Sequence, residues 1–154
     1  MRVTNQTEYS LIIALHLARR RRDGLGMVAA REISENERLP ADYVEQILLR
    51  LRRAGLVDSV RGTKGGYLLA RDPKQISVRD VMLNSDARVF EINCDVHPLD
   101  AERCDDFSTC QIRRVWEVLQ GRIDELLGSV TLADLLQEPT DTAQHLVPLG
   151  IESP

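Results

Sequence analysis

The run from Leu39 to Val57 reads LPADYVEQILLRLRRAGLV, and the run from Ser59 to Ala70 reads SVRGTKGGYLLA. Together they decide the fold. In the first run Val44, Ile47, Leu48 and Leu51 recur at i, i+3, i+4 and i+7, which lines one face of an α-helix. Asp42, Glu45, Gln46, Arg50 and Arg53 fall on the opposite face. Pro40 suits the first turn of that helix and Gly55 suits the position just past its end. Two short β-type stretches follow, Leu56 to Arg61 and Tyr67 to Ala70. Between them Gly62-Thr63-Lys64-Gly65-Gly66 reads as a glycine-rich hairpin tip.

Upstream, Leu11, Ala14, Leu15 and Ala18 give a second helical stripe, widened by Ile12 and Leu17, in a helix expected from Asn5 to Arg22. Arg19 to Arg22 close it with cations, which complement the negative end of the helix dipole, and Gly24 and Gly26 punctuate the exit. A short helix is expected from Val28 to Asn36. Two helices separated by a turn of about four residues read as a helix-turn-helix, and a hairpin directly after it makes a winged helix. Downstream, Ile76 to Met82 reads as one more short helix with Ser77 as its cap.

The 154 residues suit one domain with an appended element, and 43% hydrophobic residues exclude wholesale disorder. No apolar run approaches the roughly 20 residues needed to span a bilayer, and nothing near Met1 reads as a secretion signal, so no membrane partner and a cytoplasmic location are expected. The formal net charge of −4 hides an asymmetry. Residues 1–75 carry 14 basic against 9 acidic side chains, and residues 76–154 carry 6 against 15. A basic half joined to an acidic half points to a polyanion as partner of the first. Of the 20 basic residues 18 are arginine, whose planar fork suits phosphates and guanine edges.

Residues 85–107 are acidic and without period, and hold Cys94, His97 and Cys104. A loop this long inside a compact domain carries a function or is disordered. With Cys110 the three cysteines are spaced C-x9-C-x5-C; an odd count argues against a disulfide scaffold. Structural zinc prefers tighter pairs. Thiolates on a long loop suit a larger soft-metal or iron–sulfur group, and redox-reactive thiols stay open beside it. Ser108 and Gln111 match a capping box, which places Cys110 at the second position of a long helix. Ile112, Trp116, Leu119, Ile123, Leu126 and Val130 then follow at alternating spacings of four and three, a heptad seam that suits packing on a symmetry-related copy or on the first helix. Thr131 to Gln137 is expected to add a short helix. The chain thus divides into a winged helix at 1–84, a cysteine loop at 85–107, a dimerisation helix with its follower at 108–137, and a tail at 138–154.

A helix-turn-helix presents the N-terminal side chains of its second helix to the major groove. Here these are Asp42, Tyr43, Glu45, Gln46 and, one turn on, Arg50. Gln pairs with adenine and Glu accepts from cytosine. Arg61 and Lys64 flank glycines that let the hairpin backbone approach phosphates or a minor groove. Winged helices also serve as protein-docking modules, so the fold alone does not name the partner.

The strings Tyr43-Val44-Glu45-Gln46 and Arg61-Gly62-Thr63-Lys64-Gly65-Gly66-Tyr67, the opening Met1-Arg2-Val3-Thr4, the three cysteines and Trp116 resemble the iron–sulfur winged-helix repressor family that includes IscR, NsrR and RirA. The resemblance covers about residues 1–137. It implies a cytoplasmic bacterial homodimer whose long helices cross at the interface and whose paired winged helices read a palindromic operator in double-stranded DNA. It implies recognition-helix roles for Glu45 and Gln46 and a wing role for Arg61. It also implies that Cys94, Cys104 and Cys110 ligate a 2Fe–2S or 4Fe–4S cluster whose state tunes DNA affinity.

Two departures stand out. The first cysteine gap is longer than relatives have. Arg113 occupies the place where one branch has a histidine ligand, and a guanidinium cannot ligate iron. In another branch a carboxylate in the first helix reaches the cluster, which makes Glu8 the preferred fourth ligand; His97, Asp105, Asp106 and water are the alternatives. His16 and His145 read as surface residues. A clusterless thiol switch and a protein-interaction module are the competing functions. No paired-carboxylate, triad or phosphate-loop pattern points to an enzyme.

Overall fold

The computed structural model describes residues 3–62, 65–85 and 110–137. It is mainly helical, with one two-stranded antiparallel hairpin. Helix α1 (Asn5–Arg22) has the bounds its periodicity gave and is capped by Thr4, whose hydroxyl accepts from the Thr7 N–H at 3.3 Å. Its buried stripe is rotated from the expected one: Ser10, Ile13, Ala14, Leu17 and Ala18 face the core, while Leu11, Ile12 and Leu15 pack half-covered at its edges.

Helices α2 (Ala30–Glu37) and α3 (Ala41–Arg53) form the helix-turn-helix. Arg38 turns the chain in the left-handed region at φ 55°, and the Ser34 hydroxyl donates to the Leu39 carbonyl at 2.7 Å. Val44, Ile47, Leu48 and Leu51 of α3 are buried, as their spacing requires. Pro40 stands one residue outside the helix, at its N-cap.

Val28 does not begin α2. It pairs antiparallel with Tyr67, donating to its carbonyl at 3.0 Å and accepting from its N–H at 2.8 Å. This single bridge adds a third edge beside strands β1 (Val57–Val60) and β2 (Gly66–Leu69), which pair from Val57 with Leu69 to Val60 with Gly66. A side chain at position 66 would meet the Val28 carbonyl oxygen at 2.6 Å, so the close approach of the two backbones requires glycine there.

A 3₁₀ turn, Pro73–Gln75, leads into α4 (Val78–Ser85). Ser77 and Asp80 cap α4 reciprocally: the Ser77 N–H donates to Asp80 Oδ2 at 2.9 Å and the Asp80 N–H donates to Ser77 Oγ at 3.0 Å. The helix starts two residues later than expected and runs a turn further.

The long helix α5 (Gln111–Ser129) begins with Cys110 as its N-cap, so Cys110 is outside the first turn and the expected capping box does not set the start. Val130 is extended rather than helical, at φ −93° and ψ 121°. Its carbonyl accepts from the Val78 N–H at 2.8 Å, and the Leu132 N–H donates to the Ile76 carbonyl at 2.9 Å. These bonds pin the end of α5 to the winged helix and bury Leu132 completely. The heptad seam therefore ends within the helix at Leu126, and Thr131 to Gln137 forms only a 3₁₀ turn, Asp134–Leu136.

The core gathers Ile13 of α1, Ile33 of α2, Ile47, Leu48 and Leu51 of α3, Leu56, Leu69, Ile76 and Leu132. His16 belongs inside as well: it is 8% exposed, with Nδ1 2.7 Å from Glu37 Oε1, and ties α1 to the end of α2. Among the described residues no helix is long and apolar enough to cross a membrane.

Candidate nucleic-acid interface and cysteine site

Burial of one face of α3 turns Asp42, Tyr43, Glu45 and Gln46 out to solvent, on the first two turns of the second helix of the motif. Tyr43 is held by Tyr9 of α1, ring centroids 6.0 Å apart and planes at 86°. Arg50 is exposed as well, but its Nη1 donates to the Ser85 carbonyl at the end of α4 at 2.8 Å. On the hairpin Arg61 and Gly62 are exposed; Lys64 lies outside the described residues.

Further exposed cations, which the sequence reading did not single out for a DNA-contacting role, sit on the same motif. Arg52 and Arg53 close α3, and Arg31 opens α2, the helix that in this motif crosses the phosphate backbone. Arg31 pairs with Glu35 at 2.7 Å, one turn on. The hydrogen bond and charge of Glu35 raise the Arg31 pKa above its already high ordinary value, as Asp23 does for Arg22. Both guanidinium groups stand in water as permanent cations.

Cys110 is a free, half-buried thiol at the head of α5. Glu8 is exposed in the first turn of α1, and its carboxylate makes no hydrogen bond or ion pair among the described residues. Arg113, three residues after Cys110, donates through Nε to Glu117 Oε1 at 2.9 Å. Cys94, Cys104, His97, Asp105 and Asp106 lie outside the described residues, and among those described no three His, Cys, Asp or Glu side chains converge on a metal site. A free thiol at a helix head is a fitting donor for an iron–sulfur group, and the uncommitted Glu8 carboxylate is a weaker, oxygen donor.

Helix α5 has no fully buried residue over 19 positions. Ile112, Trp116 and Leu119 of the expected seam are exposed, Ile123 and Leu126 are half-buried, and α5 packs on α4. Arg79 and Asp124 join those two helices at 3.5 Å. Val115, 62% exposed, falls in the same arc of about 100° and widens the seam, which a strict heptad reading omitted.

The family model described as Rrf2, iron-dependent transcriptional regulator, matches residues 3–138. The HTH-type transcriptional regulator IscR of Xenorhabdus nematophila is 37% identical over 147 residues, spanning 94% of this chain and 86% of that protein. IscR of Sodalis glossinidius is 38% identical over 136 residues, 88% of this chain and 79% of the relative. Among solved structures, a transcriptional regulator from Listeria innocua superposes with TM-score 0.70 at 30% identity, covering 90% and 88% of the two chains. T. potens IscR superposes at 0.67 and 29% identity, covering 100% of this chain and 94% of the other. CymR, the global cysteine regulator of B. subtilis, also superposes at 0.67, with 27% identity and coverage of 88% and 95%. The two IscR relatives and the Listeria protein are named as transcriptional regulators. On both the matched family model and the shared identity, the chain belongs to the Rrf2 family of DNA-binding, winged-helix transcription regulators.

Proposed function

We propose that this regulator is a cytoplasmic homodimer that represses transcription from a palindromic operator and whose affinity for it is set by an iron–sulfur cluster. The observation that carries the reading is the construction of α5: Cys110 heads a helix whose apolar arc of Ile112, Val115, Trp116 and Leu119 stands exposed. A thiol ligand and a dimer seam on one rigid element give the cluster a direct hold on how two winged helices are spaced. Cys94, Cys104 and Cys110 are the thiolate ligands in this reading, and Glu8 is the fourth, offered across the interface. An oxygen donor is a weak match for iron beside three thiolates, which leaves that position open to exchange. When bound, the cluster supplies an iron centre responsive to nitric oxide, iron supply or redox state.

On the DNA side, Glu45 and Gln46 face base edges, Asp42 and Tyr43 flank them, and Arg61 and Lys64 hold the wing against the backbone or minor groove. A cluster shifts operator binding only by the difference in its affinity for the two states of the protein.

The test is an anaerobic absorption spectrum with iron and sulfide analysis of the wild type beside Cys104→Ala and Glu8→Ala. Visible absorption lost in the cysteine variant supports the cluster, and the iron count separates 2Fe–2S from 4Fe–4S. Altered bands or faster bleaching in Glu8→Ala support the carboxylate ligand. A second reading is favoured by the free, part-exposed Cys110 thiol: a clusterless thiol switch. Wild-type protein that stays colourless after reconstitution, and forms a disulfide or modified cysteine on oxidation, selects that reading instead.

A further inference from the structure

Three helices meet at one backbone oxygen. The Ser85 carbonyl, at the last residue of α4, accepts from Arg50 Nη1 of α3 at 2.8 Å and from Gln6 Nε2 of α1 at 2.6 Å. Carbonyls in the last turn of a helix have no partner within it and carry the negative end of the helix dipole. Here two side chains from two other helices supply the donors, one of them a cation. The Ser85 side chain is buried; its hydroxyl donates to the Met82 carbonyl at 2.8 Å and lies 3.3 Å from the Thr7 hydroxyl. Thr7 and Gln6 immediately precede Glu8 on α1, and in sequence Ser85 stands directly before the residues that include Cys94 and Cys104.

We propose that Arg50 is a positioning residue rather than a DNA contact: it fastens the recognition helix to the end of α4 through the Ser85 carbonyl, just before the cysteine-bearing residues in sequence, with Gln6 as the second fastening. The geometry separates Arg50 from its neighbours on α3. Asp42, Glu45 and Gln46 point into solvent and make no side-chain hydrogen bond or ion pair among the described residues, whereas the Arg50 guanidinium turns back toward α4 and makes a charge-assisted bond there. It also stands a full turn beyond the N-terminal residues that this motif carries to base edges. A displacement of the Ser85 carbonyl bears on α1 and α3 together, so the tilt of α3 follows the end of α4. The coupling part of this inference rests on the cluster reading above; the assignment of Arg50 does not.

The experiment measures operator binding across a salt series for wild type, Arg50→Gln, Arg50→Lys and Gln6→Leu, each cluster-free and cluster-loaded, with thermal melting to confirm folding. A phosphate contact at position 50 would shrink the slope of log K against log salt by about 0.9 in Arg50→Gln. The positioning role predicts an unchanged slope and an affinity loss on the order of tenfold. It predicts a similar loss in Gln6→Leu, which removes no charge, and recovery in Arg50→Lys, which keeps a charged donor at that position. In the loaded protein the wild-type ratio of loaded to cluster-free affinity departs from one, and both Arg50→Gln and Gln6→Leu bring it back toward one. A slope reduced by about one, or a Gln6→Leu variant with wild-type affinity and ratio, overturns the proposal. A wild-type ratio of one overturns the cluster reading and the coupling built on it, while an unchanged slope still upholds the positioning role of Arg50.

Discussion

The rings of Tyr9 and Tyr43 meet edge to face, with 6.0 Å between centroids and 86° between planes. The contact joins the second turn of α1 to the first turn of the recognition helix, one residue from Glu8 on one side and two from Glu45 on the other. An aromatic pair in this geometry contributes about 0.5–1.5 kcal/mol beyond the area it covers. Tyr9→Leu keeps the apolar bulk and removes the edge-to-face contact. It is expected to lower unfolding free energy by that amount in urea titration, and to weaken operator binding by freeing the ring of Tyr43. A variant with undiminished stability and undiminished DNA affinity would show that the two rings merely touch.

Gln46 and Arg61 test the reading surface itself. Each is exposed, one on α3 and one on the hairpin, and together they span the distance from recognition helix to wing. Alanine at either position is expected to cost on the order of 1–3 kcal/mol in operator affinity. Gln46→Ala should relax sequence preference at one base pair of each half-site, whereas Arg61→Ala should weaken all sequences alike if it grips phosphate. Competition binding against a panel of single-base operator variants reads both effects. Wild-type affinity in both variants refutes the assigned surface.

The wing depends on a contact between backbones. A Cβ at position 66 would stand 2.6 Å from the Val28 carbonyl oxygen, so Gly66→Ala must displace either β2 or the chain that crosses it. Overpacking of this kind costs about 1–3 kcal/mol. Lower thermal stability is expected, together with DNA affinity reduced more than the stability loss alone explains, because the displaced strand carries the hairpin. Circular dichroism melting beside an operator titration separates the two.

How much of this was legible before the structure depends on whether the signal was local. Helix α1 came out with its expected bounds, and the α3 face of Val44, Ile47, Leu48 and Leu51 is buried as its period demands, because one buried helical face repeats every turn and a half-dozen residues suffice to show it. Val28 misled because a one-residue bridge has no period of its own; its place is decided by Tyr67, 39 positions away. The start of α5 shifted from Ser108 to Cys110 because a capping box contributes only about 1 kcal/mol, too little to set a helix boundary by itself. Val130 continued the heptad in sequence but is claimed by Val78 in space. Arg50 looked like any other polar residue on the outer face of α3, and only the position of Ser85 distinguishes it. His16 looked like a surface histidine because its partner, Glu37, lies on another helix.

The exposed arc of α5 makes the sharpest claim on quaternary structure. Ile112, Val115, Trp116 and Leu119 stand between 40% and 62% exposed on a helix of 19 residues, and Val130 and Leu132 fix only its far end to the winged helix. A large aromatic in such an arc is the residue type that dominates association energetics. Trp116→Asp places a charge in the middle of the seam and leaves the winged helix, with its core of Ile13, Ile47, Leu51 and Leu132, untouched. Sedimentation equilibrium is expected to show a dimer for the wild type and a monomer for the variant, with melting of the winged helix little changed. Operator binding should fall much further than any single base contact accounts for, since two half-sites bound by one rigid dimer become two independent and weaker events. The same substitution should abolish the effect of Glu8→Ala on the cluster spectrum if that carboxylate crosses the interface, because a monomer has no partner to offer it. A Trp116→Asp protein that stays dimeric would move the interface off this arc, and a wild-type monomer would remove it altogether.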